Sequence, residues 1–260
     1  MTEPAVIAAQ DVSKTFQIPS VRRETLREHV LGFFRPRRVQ TLTVLNRVTF
    51  DVRRGETVGI MGRNGSGKST LLRIVCGIYE ADAGSVTVRV PVSPVLDLGA
   101  GWNRELDAVD NALILATTLG MTLRAARGSL EEILDFAGLQ KFANLALKHF
   151  SSGMAARLAY AVAFKAVRDV LVIDEIFAVG DAGFKARCEE RYRALSSAGY
   201  TIVLVSHDPL VISTFCKRAV LLDGGQIVMN DTAPKVADAY VRLVSRPTAV
   251  RSVNQAARKS

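Results

Sequence analysis

Residues 62–70 combine glycine, lysine and hydroxyl side chains at a spacing suited to holding phosphate groups. They fit the pattern G-x-x-x-x-G-K-[ST]. Glycine lets backbone N–H groups approach phosphate oxygens that a Cβ atom would keep away. Lys68 is expected on the β- and γ-phosphates, and the Ser69 hydroxyl on Mg²⁺. The pattern therefore predicts a nucleotide-binding loop. Its residues are Gly62, Arg63, Asn64, Gly65, Ser66, Gly67, Lys68, Ser69 and Thr70.

The residues on either side of this loop predict the strand and helix that should position it. Residues 57–61 read Thr-Val-Gly-Ile-Met, which is typical of a short buried strand. Residues 71–75 carry the apolar stripe of a helix that ends near Gly77. A helix that begins at the loop points its N-terminus at a bound anion. A chance match on a flexible loop is the alternative, and it arises roughly once in a hundred sequences of this size.

Two carboxylates follow a second apolar stretch. Residues 170–175 read Val-Leu-Val-Ile-Asp-Glu, a pattern typical of a strand buried on both faces. Because ligands gather at the carboxyl ends of parallel strands, Asp174 is expected near the phosphates, where it can hold Mg²⁺ directly or through water. Glu175 is expected to polarise the water that attacks the γ-phosphate. The alternative interpretation is a strand capped by two solvated acids.

Three further features are candidates with structural alternatives. His207 follows a neighbouring apolar strand and is expected to contact the γ-phosphate, although a lone histidine is usually structural. Ser151, Ser152 and Gly153 precede a helix rich in small residues, and they form either a second anion site or an ordinary N-cap. Phe16 could stack on a nucleotide base. The alternative, equally compatible with its position, is that Phe16 belongs to the apolar core.

Composition and charge limit the function classes. The chain has 260 residues, 48% of them hydrophobic, which is enough for one large domain or two small ones. A formal net charge of +9 suggests an anionic partner such as a membrane surface or nucleic acid, unless it serves solubility alone. Three dispersed cysteines indicate a reducing compartment. Without a signal peptide or a spanning apolar run, a membrane role is expected from the cytoplasmic side.

Residues 20–38 form a basic segment in which apolar side chains recur at helical spacing. A short basic amphipathic helix suits either a lipid headgroup layer or a groove on a partner protein. The alternative is a surface helix packed on its own domain. The arginines that we expect to make the contact are Arg22, Arg23, Arg37 and Arg38.

Taken together, these motifs resemble those of the nucleotide-binding subunit of ATP-binding cassette (ABC) transporters, over roughly residues 6–230. Residues 62–70 resemble the Walker A motif, and residues 170–174 resemble Walker B, with Glu175 as the catalytic glutamate. Residues 151–154 resemble the family signature. Residues 178–181 resemble the D-loop of the family, and His207 resembles its switch histidine.

The resemblance implies an α/β P-loop NTPase fold with a RecA-like core, an antiparallel β subdomain and an inserted α-helical subdomain. The ABC ATPase domain would cover residues 1–245, and a basic flexible tail would follow at 246–260. The core would lie at about 1–95 and 168–230, and the helical subdomain at about 100–167.

The residues around the signature are similar to those of one branch, the exporters of O-antigen, capsule and teichoic-acid polymers. That branch also carries a basic insertion where residues 20–38 lie. The resemblance implies a homodimer in which each ATP lies between Walker A of one copy and Ser151 to Gly153 of the other, with Asp181 nearby. It also implies an integral membrane permease, a peripheral place on the cytoplasmic face of the inner membrane, and a lipid-linked polysaccharide as cargo.

Departures from the family pattern leave alternatives open. Transporters of this class usually have a glutamine that ligates Mg²⁺, and none lies near the corresponding Leu98. Some relatives carry a C-terminal carbohydrate-binding domain, which is not expected here. The cargo could instead be a lipid, drug or peptide. A soluble nucleic-acid ATPase and a small-molecule kinase are further alternatives, and no nucleic-acid partner is expected.

Overall fold

The computed structural model describes residues 4–19, 39–96, 101–174 and 180–245. Within these ranges the strands form two sheets. The smaller sheet is antiparallel, with the order β2-β1-β4. The larger sheet has the order β5-β6-β7-β3-β8-β9, and only its last pair is antiparallel. The strands are β1 (Ile7–Pro19), β2 (Val39–Val52), β3 (Thr57–Gly62), β4 (Ala83–Val88), β5 (Val92–Val95), β6 (Val170–Asp174), β7 (Thr201–Val205), β8 (Arg218–Asp223) and β9 (Gln226–Thr232).

Eight α-helices are present in the described ranges. They are α1 (Lys68–Val75), α2 (Ala108–Thr118), α3 (Leu123–Gly128), α4 (Leu130–Ala137), α5 (Ser152–Lys165), α6 (Ala182–Ser197), α7 (Pro209–Phe215) and α8 (Ala233–Ser245). Two short 3₁₀ helices, Gln140–Phe142 and Leu147–His149, lie between α4 and α5. The predicted basic segment at 20–38, Leu98, Glu175 and the tail at 246–260 lie outside the described residues.

The larger sheet is covered on both faces, which explains the continuous apolar runs of its central strands. Val170 and Val172 of β6 pack into a cluster with α1 and the antiparallel sheet. Leu171 and Ile173 point to the opposite face, into a cluster with α5, α6, α7 and α8. The alternation of side chains along one strand therefore feeds two separate cores.

Helices α2 to α5 gather around a third apolar cluster. Ala108, Ala112 and Ala116 line one face of α2 at four-residue spacing and are fully buried. Their short side chains let α2 lie close to Leu158 and Val162 of α5. This helical part lies between β5 and β6 in the chain.

Two elements are longer than the sequence indicates. The sequence pattern predicts a final helix at 238–244, but the helix begins at Ala233, because Pro234 lies in the first turn, where a missing N–H costs nothing. The pattern also predicts that the first strand ends at Phe16, but β1 continues to Pro19, where it pairs with Val39 of β2. Residues 20–38 therefore connect the two ends of this hairpin.

Arg218 of β8 links the two sheets. Its Nε and Nη2 atoms donate to the two carboxylate oxygens of Glu56, at 2.6 and 3.0 Å, and Nη2 also donates to the Asp51 carbonyl of β2 at 2.7 Å. Burial opposes the charge of Glu56, but the hydrogen bond from Arg218 and the Arg53 backbone amide outweigh it, so the pKa of Glu56 lies below its ordinary value. The two side chains are mostly shielded from solvent, so salt screens this pair less than it screens a surface pair.

We expect Glu56→Gln to lower the free energy of unfolding at pH 7 by about 1–3 kcal/mol, because a charged hydrogen-bond acceptor is lost. Since folding lowers the pKa of Glu56, its contribution is present above the unfolded pKa, about 4.3, and disappears as the pH falls through the folded pKa. Urea unfolding of both proteins at pH 7 and near pH 3 checks this. A difference that is the same at both pH values would contradict it. Glu105→Gln, whose carboxylate pairs with Lys148 at the surface, is the control and should have a smaller effect.

Candidate nucleotide site

The glycine-rich loop connects β3, in the middle of the larger sheet, to α1. Gly67 has φ 107°, and a Cβ atom there would lie 2.7 Å from Leu45 Cδ2 and 2.8 Å from the Val44 carbonyl oxygen. Only glycine fits this position without displacing β2. Helix α1 has no side-chain cap and no acidic residue in its first turn. Its N-terminal amides and dipole therefore favour an anion at the loop.

Lys68 is held across the loop. Its side chain is buried, and Nζ donates to the carbonyl oxygens of Gly62 at 2.8 Å and Arg63 at 3.0 Å. These bonds keep a positive charge among the loop amides instead of in solvent. The arrangement suits the binding of a polyphosphate, whose oxygens gain from both the ammonium group and the N–H groups.

Ser66 supplies an independent test of whether a phosphate fits. Its hydroxyl is buried and, within the part of the chain that the structure describes, has no hydrogen-bond partner in the protein. An unsatisfied buried hydroxyl is costly and uncommon in folded proteins. A phosphate oxygen at the loop would supply the missing acceptor, so the residues present fit the nucleotide that the sequence predicts.

Ser69 and Asp174 meet although 105 residues separate them in the chain, and Ser69 Oγ donates to Asp174 Oδ2 at 3.4 Å. A hydroxyl and a carboxylate are hard oxygen ligands, which suit Mg²⁺. Among the described residues no group of three or more His, Cys, Asp or Glu side chains could hold a metal ion. A magnesium ion here would therefore take its other ligands from phosphates and water, as Mg²⁺ often does.

His207 follows β7 and shares an open cavity of about 460 Å³ with the loop residues Arg63 and Asn64. Tyr240 and Val244 of α8 line the same cavity. The sequence pattern indicates no role for these two residues. Tyr240 and Val244 are four residues apart, a spacing that places them on one face of a helix. Nothing in the sequence indicates that this helix, α8, lies beside the loop.

Ser151 and Asp181 are helix caps. Ser151 Oγ accepts a hydrogen bond from the Met154 amide at 3.2 Å, and the side chain is exposed at the start of α5. Asp181 Oδ1 accepts from the Phe184 amide at 2.8 Å at the start of α6. Ser151, Ser152 and Gly153 are outside the lining of the cavity that His207 shares with the loop.

Phe16 lies on β1 and is partly exposed. Its ring packs edge-to-face on Tyr79, with centroids 5.9 Å apart, and Lys14 Nζ lies 5.6 Å from its centroid. Phe16 belongs to none of the buried clusters, so the interpretation as a core residue is wrong. Stacking on a base stays a prediction.

The comparisons of this chain with known proteins agree on one family. The family model described as ABC transporter matches residues 45–178. The ABC transporter protein AbcA of Aeromonas salmonicida is 39% identical over 245 residues, covering 94% of this chain and 78% of that protein. The O-antigen export system ATP-binding protein RfbE of Yersinia enterocolitica is 38% identical over 189 residues, 73% of this chain and 79% of that protein. The teichoic acids export ATP-binding protein TagH of Listeria monocytogenes is 31% identical over 240 residues, 92% and 70% of the two chains.

Solved structures confirm the predicted fold. A dimeric post-hydrolysis structure of an ATP-binding cassette bound to ADP and Pi superposes with a TM-score of 0.70 at 22% identity. It covers 87% of this chain and 98% of that one.

Among the described residues, no helix has both the length and the apolar character needed to cross a membrane.

We expect Ser66→Ala to raise the melting temperature of the nucleotide-free protein by about 1–4 °C, because it removes a buried hydroxyl that has no partner among the described residues. The same variant should bind ATP more weakly, since a phosphate oxygen loses a donor. Differential scanning calorimetry and titration with ATP measure the two effects. A lower melting temperature together with unchanged ATP affinity would contradict this assignment. Ser129→Ala, at the half-buried junction of α3 and α4, is a control for loss of a hydroxyl away from the loop.

Proposed function

The chain belongs to the ABC transporter family, and on this premise we propose that it is the ATP-hydrolysing subunit of an exporter of a lipid-linked polysaccharide. The approach of Ser69 to Asp174 beside the glycine loop is the observation that carries the ATPase part of this proposal. The cargo is supported by the relatives whose names refer to O-antigen export and teichoic acids export. The signature-like residues 151–154, Ser-Ser-Gly-Met, favour the same branch.

Each residue of the site has a distinct role in the proposed hydrolysis. Lys68 and the loop amides bind the phosphates, and the Ser66 hydroxyl adds a donor. Ser69 and Asp174 would hold Mg²⁺, which when bound neutralises charge on the phosphate oxygens. Glu175 orients the attacking water and accepts its proton, and His207 hydrogen-bonds the γ-phosphate.

Two copies are proposed to act head to tail. The exposure of Ser151 at the N-terminus of α5 supports this, because neither Ser151 nor Gly153 lines the cavity that His207 shares with the loop of the same chain. In the proposed dimer, Ser151 and Gly153 of one copy contact the ATP that the other copy's loop binds. ATP binding then closes the dimer, and hydrolysis reopens it.

A membrane-embedded permease subunit is the proposed partner of this dimer, and the cytoplasmic face of the cell membrane is its proposed location. Residues 20–38 connect β1 to β2 in the chain and carry the arginines proposed to contact anionic lipid or the permease. The absence of a glutamine near Leu98 means that Ser69 and Asp174 are the only protein ligands proposed for Mg²⁺.

We expect Glu175→Gln to lower the rate of ATP hydrolysis at least about 100-fold, because the amide cannot accept the proton of the attacking water. ATP binding should persist, and the ATP-bound dimer should accumulate. Phosphate release and size-exclusion chromatography with ATP measure these effects. Lys68→Ala is the comparison variant and should lose ATP binding itself. Hydrolysis at the wild-type rate in Glu175→Gln would remove the proposed role of this carboxylate.

We expect simultaneous replacement of Arg22, Arg23, Arg37 and Arg38 by Glu to weaken attachment to the permease in anionic membranes, while ATP hydrolysis by the isolated subunit continues. The electrostatic attraction should also weaken with added salt. Copurification with the permease, and flotation with vesicles with and without anionic lipid, measure the effect. Replacement of the tail residues Arg246, Arg251, Arg258 and Lys259 by Glu changes the net charge equally and is the matched control. Unchanged assembly and flotation in the first variant would contradict the proposal.

Cells that carry Glu175→Gln test which cargo the proposed exporter moves. Accumulation of undecorated, lipid-linked polymer inside cells that carry Glu175→Gln supports polysaccharide export. Normal surface polysaccharide in such cells points to another cargo. Salt-sensitive stimulation of hydrolysis by DNA or RNA would favour a soluble nucleic-acid ATPase.

A further inference from the structure

The partly exposed ring of Phe16 lies near the nucleotide-binding loop, and β2 connects the two. Val44 of β2 approaches the loop, since a Cβ atom on Gly67 would lie 2.8 Å from the Val44 carbonyl oxygen. Phe16 pairs with Leu42, which is two residues, or about 7 Å, along the same strand. Leu42 is 49% exposed and lies on the same face of the sheet as the ring. An open apolar surface therefore lies beside the loop, within reach of the base of a nucleotide bound there.

Tyr79 holds the ring of Phe16 from one side. The two rings pack edge-to-face, with centroids 5.9 Å apart and planes at 68°, which is a favoured geometry. The Tyr79 amide donates to the Arg73 carbonyl at 3.1 Å, and the Arg73 guanidinium carbon lies 5.7 Å from the Tyr79 centroid. Arg73 is in the last turn of α1. One helix therefore carries the amides of the loop at its start and fixes Tyr79 just beyond its end.

An ion pair joins the segment after Tyr79 to β1. Lys14 Nζ donates to Asp82 Oδ1 at 2.6 Å, and Asp82 Oδ2 accepts from the Thr15 amide at 2.6 Å. Lys14 Nζ also lies 5.6 Å from the centroid of Phe16. Asp82 therefore ties its segment to β1 at the two residues that precede Phe16. This contact keeps the rings of Tyr79 and Phe16 in one relative position.

We propose that Tyr79 is a positioning residue for the nucleobase, because it holds the ring of Phe16 at the angle at which the base stacks. The inference rests on the proposed ATP hydrolysis and on the prediction that Phe16 contacts the base. A ring that is already fixed loses little conformational freedom when a ligand binds, and this raises affinity. Loss of the Tyr79 ring should therefore weaken binding of the base, while bound ATP is hydrolysed at the same rate.

A purely structural role of Tyr79 can be separated from this one. Tyr79 packs against the apolar cluster that contains Leu71 and Leu72 of α1. Leucine at position 79 keeps an apolar side chain against that cluster and removes the ring, whereas phenylalanine keeps the ring. Inorganic tripolyphosphate can occupy the loop but has no base. A positioning role changes the affinity for ATP alone, and a structural role changes the affinity for both ligands.

The test measures ATP hydrolysis and the binding of ATP and of tripolyphosphate by the full chain. Tyr79→Leu should raise the KM for ATP about two- to tenfold with kcat unchanged, and should bind tripolyphosphate as the wild type does. Tyr79→Phe should keep the wild-type KM. Phe16→Leu should raise the KM about tenfold, because stacking on the base is lost. The double variant should have no higher KM than Phe16→Leu, because Tyr79 acts through Phe16.

Phe142→Leu is the matched control, since it removes a ring that is 42% exposed in the helical part. It should leave the KM for ATP unchanged. Equal losses of affinity for ATP and tripolyphosphate in Tyr79→Leu would overturn the inference and assign Tyr79 to the loop. Additive losses in the double variant would mean that the two rings act separately, which also overturns it.

Two further results distinguish failure of this inference from failure of the proposed function. A wild-type KM in Tyr79→Leu or in Phe16→Leu would refute the positioning role and leave the proposed ATPase intact. A wild-type protein that does not hydrolyse ATP would refute the proposed function, and this inference with it.

Discussion

The register of the parallel strands β3, β7 and β6 brings Ser69 to Asp174, and the rest of the site depends on this alignment. Val205, the last residue of β7, pairs with Ile60 of β3 on one side and with Asp174 of β6 on the other. A slip of one residue would turn the Asp174 side chain to the opposite face of the sheet. The packing of the two cores opposes this slip, because β6 presents Val170 and Val172 to one core and the larger Leu171 and Ile173 to the other.

The loop itself is built for a ligand at some cost to its own stability. A buried Ser66 hydroxyl with no hydrogen-bond partner among the described residues is unfavourable in isolation. Neighbouring packing compensates, since Leu71 and Leu72 of α1 are fully buried behind the loop. Local chemistry and global packing thus oppose each other at residues 62–70, as expected for a binding site.

Local patterns predict much of the fold and indicate the residues proposed for the site, but they do not indicate long-range contacts. The glycine loop, the apolar strand that ends at Asp174 and the hairpin of β8 and β9 each have a signature within ten residues of sequence. The sequence pattern does not indicate where α8 begins, because Pro234 lies there and proline usually ends helices. The first turn of a helix nevertheless tolerates proline. The approach of Tyr240 to the loop and the pairing of Arg157 with Asp181 join residues far apart in the chain, so no local pattern indicates them.

The central claim is that each ATP is held by the loop of one copy and by Ser151 of the other. Mixing two inactive variants, Lys68→Ala and Ser151→Arg, tests it most directly. In a head-to-tail dimer the mixed pair has one site with both lesions and one intact site, so random mixing should restore up to about a quarter of wild-type ATP hydrolysis. If Ser151 serves the ATP of its own chain, every site keeps one lesion, and the mixture would stay inactive.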